Sequence, residues 1–332
     1  MYHKTEQEVM GKWKGDSTNP LVSILCITYN HEKYIEDAIK GFLMQESDFS
    51  FEIIIHDDAS TDGTADIIRK YEAKYPKLIK PIYQTKNQFS QGLKPGEVIF
   101  PRAKGKYIAL CDGDDYWCDK DKLQKQVEYL EKDEDCVLVH HDSVIVNEKG
   151  KIISKSKNPK NRDFTSEEML CGETFILTNT AMLRNINLNN IPNYLSKVLN
   201  YDIVLWHWLS STGYAKYQKG IQAAYRIHSG GAWSQLNDIN KLKNTLEARS
   251  QFIKNISENS YAIKRIQKSM EVAYYEALQS SLVKFNCIQC LKINIMILLD
   301  SNISNFISIN FYFKIIPTLI FKKLQKTWVK NK

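Results

Sequence analysis

The sequence is short of the features that carry a chain into or across a membrane. No run reaches the roughly 18 uncharged apolar residues that span a bilayer. The opening segment, Met1 to Pro20, is polar and lacks the apolar stretch of a signal peptide. A cytoplasmic location is the expectation. Cysteine pairing is also missing: Cys26, Cys111, Cys118, Cys136, Cys171, Cys287 and Cys290 are scattered and odd in number, as suits free thiols in a reducing compartment. Cys287 and Cys290 form a lone C-x-x-C with no second pair at zinc-ligand spacing, so they read as packing residues. There is no internal repeat, no low-complexity segment and no glycine-rich phosphate loop after the first apolar run. The body has no basic stripe either, which argues against a nucleic-acid partner. From Ser301 onward Asp, Glu and Arg are absent. Six lysines there (Lys314, Lys322, Lys323, Lys326, Lys330, Lys332) carry most of the formal charge of +7.

What is present is the composition of a globular protein, 43% apolar and 25% charged over 332 residues. In the first half, strand and helix signals alternate. Leu21 to Thr28 and Phe51 to Ile55 are continuous apolar runs, as in strands buried on both faces. Leu78 to Tyr83 and Tyr107 to Cys111 read as two more. Between them, Tyr34, Ile35, Ala38, Ile39, Phe42 and Leu43, and then Ile67, Ile68, Tyr71 and Tyr75, recur with helical period. This alternation predicts an α/β fold with a mostly parallel central sheet. Further strands are expected at Cys136–His140, in a hairpin turning at Asn147–Gly150, at Phe175–Leu183 and at Ala223–Ile227. A helix is expected at Asp202–Leu209, and helical structure from Ile239 to Leu282.

In such sheets ligands bind beyond the carboxyl ends of the strands, and the polar clusters of this chain fall there. Asp112-Gly113-Asp114-Asp115 follows the fourth apolar run. Carboxylates so close repel one another, and a hard cation such as Mg²⁺ or Mn²⁺ shared with phosphate oxygens relieves that repulsion. A solvated turn is the plain alternative. Asp57-Asp58-Ala59-Ser60-Thr61-Asp62-Gly63-Thr64 follows the second run. An ionised Asp58 can accept the N3–H of a uracil ring, and Ser60, Thr61 or Asp62 can cap the next helix. Thr28-Tyr29-Asn30 follows the first run, with an aromatic face on Tyr29 for a base.

The runs VSILCITYNHEKYI, EIIIHDDASTDGT and GKYIALCDGDDYW together resemble the nucleotide-binding half of family 2 glycosyltransferases with the GT-A (Rossmann-like) fold. The resemblance covers roughly Pro20 to Leu130, returns weakly at Tyr201-Asp202 and again at Tyr225 to Gly231. One departure is Ile27, where many members have proline. The resemblance implies a nucleotide-sugar site built from Thr28, Tyr29, Asn30, Asp57, Asp58, Asp112, Gly113, Asp115 and Arg226. It implies metal ligation by Asp114 and His228, with Asp202 as catalytic base. The implied activity is inverting, metal-dependent transfer of a sugar from a UDP-sugar to a hydroxyl of a glycan or lipid-linked acceptor. By itself, Asp202 before an apolar run is also a good helix cap, and His228 also suits a buried, hydrogen-bonded histidine.

The expected organisation is an N-terminal extension (1–19), a nucleotide-sugar-binding half (20–135), an acceptor-binding half (136–235), a helical region (236–300) and a basic amphipathic tail (301–332). The tail interleaves Phe306, Ile307, Phe311, Phe313, Ile315 and others with its lysines. That pattern suits peripheral docking on an anionic membrane surface, or packing on the protein itself. Two rival readings are a sugar nucleotidyltransferase, which the glycine-free TYNHEKY loop disfavours, and an inactive nucleotide-sugar-binding module.

Overall fold

The computed structural model describes residues 4–14, 18–93, 95–155, 162–186, 188, 199, 201–256, 260–283 and 293. The basic tail and the C-x-x-C pair lie outside the described residues. The chain divides into two compact units. The first comprises Met1–Met169, Thr174–Lys197 and Trp208–Ser234; the second comprises Leu170–Glu173, Val198–His207 and Gln235–Lys332.

In chain order the strands are β1 Val22–Thr28, β2 Phe51–Asp57, β3 Ile79–Tyr83, β4 Tyr107–Leu110, β5 Tyr116–Trp117, β6 Cys136–Asn147, β7 Ile152–Lys155, β8 Met182–Arg184 and β9 Tyr214–Ile227. The helices are α1 Glu6–Met10, α2 Ile35–Leu43, α3 Thr64–Lys74, α4 Pro95–Ile99, α5 Lys122–Lys132, α6 Ser166–Leu170, α7 Tyr201–Leu209, α8 Asp238–Asn255 and α9 Ser260–Val283.

Among the described residues all nine strands belong to the first unit, in the order β3-β2-β1-β4-β8-β6-β9-β5, with β7 paired to β6. The block β3-β2-β1-β4 is parallel throughout. Its strands are apolar because both faces are covered: every residue of β2 and β4 is buried, as are six of the seven in β1. Each buried Ile, Leu or Phe there adds about 1.5–3 kcal/mol of transfer free energy. The helix α2 presents Ile35, Ala38, Ile39, Phe42 and Leu43 to this core, one face of a 3.6-residue period. Phe42 meets Trp117 edge-on at 4.9 Å between ring centroids.

The second half of the sheet changes direction. Strand β8 runs antiparallel to β4 and β6, and β6 pairs β9 in parallel. The stretch expected as a strand over Phe175–Leu183 is extended and ladder-bonded only at its end, from Met182. Thr178–Thr180 instead form a 3₁₀ turn, closed by the Thr180 hydroxyl donating to the Leu177 carbonyl at 2.7 Å. The short Thr180 side chain thus bonds the local backbone in competition with the ladder. In the other direction, β9 is longer than Ala223–Ile227. It begins just after Gly213, where any Cβ would lie 2.0 Å from the Asp135 carbonyl oxygen.

Within the second unit, helices α8 and α9 follow one another. α8 begins at an Asn237 cap whose side chain accepts the Asn240 N–H at 2.9 Å. Arg265 makes a two-pronged ion pair with Glu173 at 2.8 Å on each arm. Among the described residues, no helix is long and apolar enough to cross a membrane.

Candidate active site

Register alone brings three loops to one end of the parallel block. Thr28, the last residue of β1, is the partner of Asp57, the last of β2. On the other side Leu25 pairs with Leu110, so the chain leaving β4 runs on alongside the end of β1. Cys111 N–H donates to the Leu25 carbonyl at 3.1 Å, and Gly113 N–H to that of Ile27 at 2.9 Å. The Asp112–Asp115 turn is therefore pressed against Thr28. A Cβ on residue 113 would lie 2.6 Å from Thr28 Oγ1, 2.7 Å from its Cβ and 3.0 Å from Ile35 Cδ1, so only glycine fits.

Five aspartates near these loops do different work. Asp57 is buried and accepts from the Ser60 hydroxyl at 2.5 Å. Asp58 is buried too, and its two oxygens accept the backbone N–H groups of Gln88 (2.6 Å) and Phe89 (3.1 Å). Asp115 points inward and accepts the Arg226 N–H at 2.8 Å; burial first, and Asp114 beside it second, push its carboxyl well above the usual range. Asp114 is largely buried in the turn. Burial raises its pKa, but the hydrogen bond from His228 and the nearby His31 outweigh that, and the carboxyl sits below its ordinary value. Asp112 is half-buried, and its carbonyl closes the turn by accepting Asp115 N–H at 3.1 Å.

Tyr29 is 43% exposed, open enough to offer a ring face. Asn30 sits at φ 55° and joins the first two loops: its N–H donates to Ser60 Oγ at 2.9 Å, and its Oδ1 accepts Thr61 N–H at 2.8 Å. Asp62, weighed as a cap for the next helix, accepts from Thr64 N–H at 3.0 Å and from Glu32 N–H at 3.2 Å.

Arg226 stands with the nucleotide-sugar-binding residues in the sequence reading. Its side chain is buried and committed to the protein. Nε donates to the Asp114 carbonyl (2.9 Å), Nη1 to the Glu148 carbonyl (3.1 Å) and Nη2 to Asp37 Oδ2 (2.7 Å), while the guanidinium stacks over Tyr34 at 4.8 Å. It holds the acidic turn in place. His228, two residues on, reaches Asp114 Oδ2 with Nε2 at 2.9 Å.

A residue outside the sequence reading completes this cluster. His31 Nε2 lies 3.8 Å from the same Asp114 oxygen, and its Nδ1 meets Thr28 Oγ1 at 3.1 Å. The ligand atoms of His31, Asp114 and His228 all fall within 4.8 Å of one another. Two imidazoles and a carboxylate at that spacing suit a divalent cation. Burial lowers the pKa of His31 despite Asp114, which favours the neutral, ligating form. No local sequence pattern marks His31, which follows Asn30 at φ 55° and contacts Thr28.

Asp202 belongs to the second unit. It lies in the first turn of α7, partly exposed, with Oδ1 accepting the Ile203 N–H at 2.8 Å; burial raises its carboxyl pKa.

Comparison with known proteins places the chain. It is 36% identical over 214 residues to an uncharacterised protein of Mycobacterium tuberculosis, a match covering 64% of this chain and 60% of that relative. It is 28% identical over 239 residues to the Escherichia coli UDP-Glc:alpha-D-GlcNAc-diphosphoundecaprenol beta-1,3-glucosyltransferase WfaP, covering 71% of this chain and 86% of WfaP. The fold matches that of S. aureus TarS solved with UDP-GlcNAc, a GT-A protein, with a TM-score of 0.56 and 17% identity over 82% of this chain and 88% of that one. The glycosyl transferase family 2 profile matches residues 23–189, which hold all three loops of the parallel block, and on that match the chain belongs to glycosyl transferase family 2.

Proposed function

We propose that this protein is an inverting glycosyltransferase that moves a sugar from a UDP-sugar to a hydroxyl of a glycan or lipid-linked acceptor. The observation that carries the reading is the convergence of Thr28–His31, Asp57–Thr64 and Asp112–Asp115 at the carboxyl end of one parallel block. Each loop is then given a task. Tyr29 offers its exposed ring to the base, Asp58 its carboxylate to uracil N3–H, and Thr28, Asn30, Asp57, Asp112 and Gly113 shape the floor beneath ribose and diphosphate. Asp115 and Arg226 serve that site from behind, by fixing the turn that carries Asp114.

A divalent ion held by Asp114 and His228 would supply positive charge to the departing diphosphate. Asp202 is assigned as general base from its position in the family pattern, and its raised pKa makes it a stronger proton acceptor. With the acceptor oxygen attacking opposite the nucleotide, the proton goes to Asp202 and the anomeric centre inverts. The UDP donor and the lipid-linked acceptor follow the names of WfaP and the TarS complex. The lysine-rich tail, placed against an anionic inner membrane face, would bring the enzyme to such an acceptor.

The test is a panel of nucleotide sugars, with and without Mn²⁺, assayed for release of free nucleoside diphosphate. Release of UDP from one UDP-sugar is expected. Release of a sugar phosphate or of UTP would point to nucleotidyl transfer, and no turnover or binding of any donor would defeat the reading.

A further inference from the structure

We infer that the cation site is a three-ligand site in which His31 is the third ligand, and that it selects a borderline ion such as Co²⁺ over Mg²⁺ before any nucleotide arrives. This rests on the reading above only in placing the ion beside the donor; the ligand set itself is read from the side chains.

The geometry is specific. Asp114 Oδ2 is approached by His228 Nε2 at 2.9 Å and by His31 Nε2 at 3.8 Å, from rings whose centroids are 5.8 Å apart and nearly perpendicular. Donors about 2.0–2.2 Å from one ion lie about 3–3.5 Å from each other, so a shift of a few tenths of an ångström brings His31 Nε2 into range of Asp114, and all three donor atoms already lie within 4.8 Å of one another. Two of the three atoms are imidazole nitrogens. Mg²⁺ keeps its waters and prefers oxygen, whereas imidazole suits the later first-row ions, whose affinity rises toward Co²⁺ and beyond.

His31 is oriented by a second contact of the kind ligating histidines make. His31 Nδ1 meets Thr28 Oγ1 at 3.1 Å, and a proton on Nδ1 leaves the Nε2 lone pair toward Asp114. Thr28 is itself fixed by the glycine-only contact with residue 113. His228 Nδ1 accepts the Gly230 N–H at 3.2 Å, so in this state its ring proton is on Nε2 and bonds Asp114. An ion at Nε2 displaces that proton to Nδ1, with no net release, and Gly230 N–H must turn away. Ion capture is thus coupled to the Ser229–Gly231 turn. Tyr34, 4.6 Å from the His228 ring, and Arg226 behind it wall this side of the cluster.

The experiment titrates the full chain, free of nucleotide, with Co²⁺, following visible absorption and heat, then competes with Mg²⁺. Expected results are saturable one-to-one binding, bands typical of nitrogen ligation, and no displacement by about a hundredfold excess of Mg²⁺. His31→Ala should weaken Co²⁺ binding by about tenfold or more while the circular dichroism spectrum and thermal midpoint hold. His31→Asp, which keeps a ligand but makes it oxygen, should retain an ion and lose the discrimination against Mg²⁺. Wild-type Co²⁺ affinity in a folded His31→Ala variant would overturn the inference, as would ready displacement by Mg²⁺ from the parent protein. The outcomes separate from those for the function. Donor turnover supported equally by Mg²⁺, with no nucleotide-free Co²⁺ binding, sinks the ligand assignment and leaves the transferase reading standing. Tight Co²⁺ binding with no donor turned over does the reverse.

Discussion

At the scale of single residues, the acidic turn depends on one position that cannot carry a side chain and one that must carry a guanidinium. Gly113→Ala puts a methyl 2.6 Å from Thr28 Oγ1, so the turn has to move. The expected cost is about 1–3 kcal/mol of stability, with a larger loss of nucleotide binding; a folded variant binding UDP like the parent would contradict it. Arg226→Lys keeps the charge but not the fork that reaches the Asp114 carbonyl, the Glu148 carbonyl and Asp37 together. Urea unfolding is expected to show a loss of about 2–4 kcal/mol, and an unchanged midpoint would argue against the role. The partners of Arg226 stand 112 and 189 positions away, which is why a motif marks the residue without disclosing that it faces inward. His31 was invisible for a related reason: its value comes from a backbone turn at Asn30 and from a distant aspartate, neither of which has a local pattern.

At the scale of elements, the strands covered on both faces were the most legible, because their apolar runs have only one good destination. Leu21–Thr28, Phe51–Ile55, Leu78–Tyr83 and Tyr107–Cys111 correspond to β1 to β4 within a residue or two, the largest gap being at the polar end of β2. Where pairing is set by long-range register, reading failed. The two-residue strand β5 exists because Tyr116 and Trp117 meet Ala224 and Ala223 of β9, and Thr178–Thr180 turn as the Thr180 hydroxyl finds the Leu177 carbonyl. Helix α7 carries the element-scale prediction. Asp202→Asn keeps the size of the side chain but removes its basicity. Sugar transfer should fall by about 10²–10⁴-fold while UDP-sugar binding is retained. Transfer at the parental rate would withdraw Asp202 as base.

At the scale of the whole molecule, buried titratable groups set a pH dependence of stability. His140 and His207 are buried and pushed down to about 4, while Lys122, enclosed with Gln126 as its hydrogen-bond partner, is pushed down to about 7. Between their folded values and the ordinary values of about 6.5 for histidine and about 10.4 for lysine, the unfolded chain holds protons that the folded chain does not. These three groups therefore contribute stability that rises with pH in both windows. Urea midpoints should climb from about pH 4.5 to 7, and from pH 7 to 9 the parent should gain stability relative to Lys122→Met, a comparison in which the opposing pull of the buried cysteine thiols cancels. A parent that loses ground to Lys122→Met over that range would contradict this. The measurement that bears most directly on the function is calorimetric titration of UDP into the full chain, with and without Mn²⁺, beside the Asp114→Ala variant. Binding that requires Mn²⁺ and disappears in the variant is the expected result; equal binding in all three conditions would contradict the proposed site.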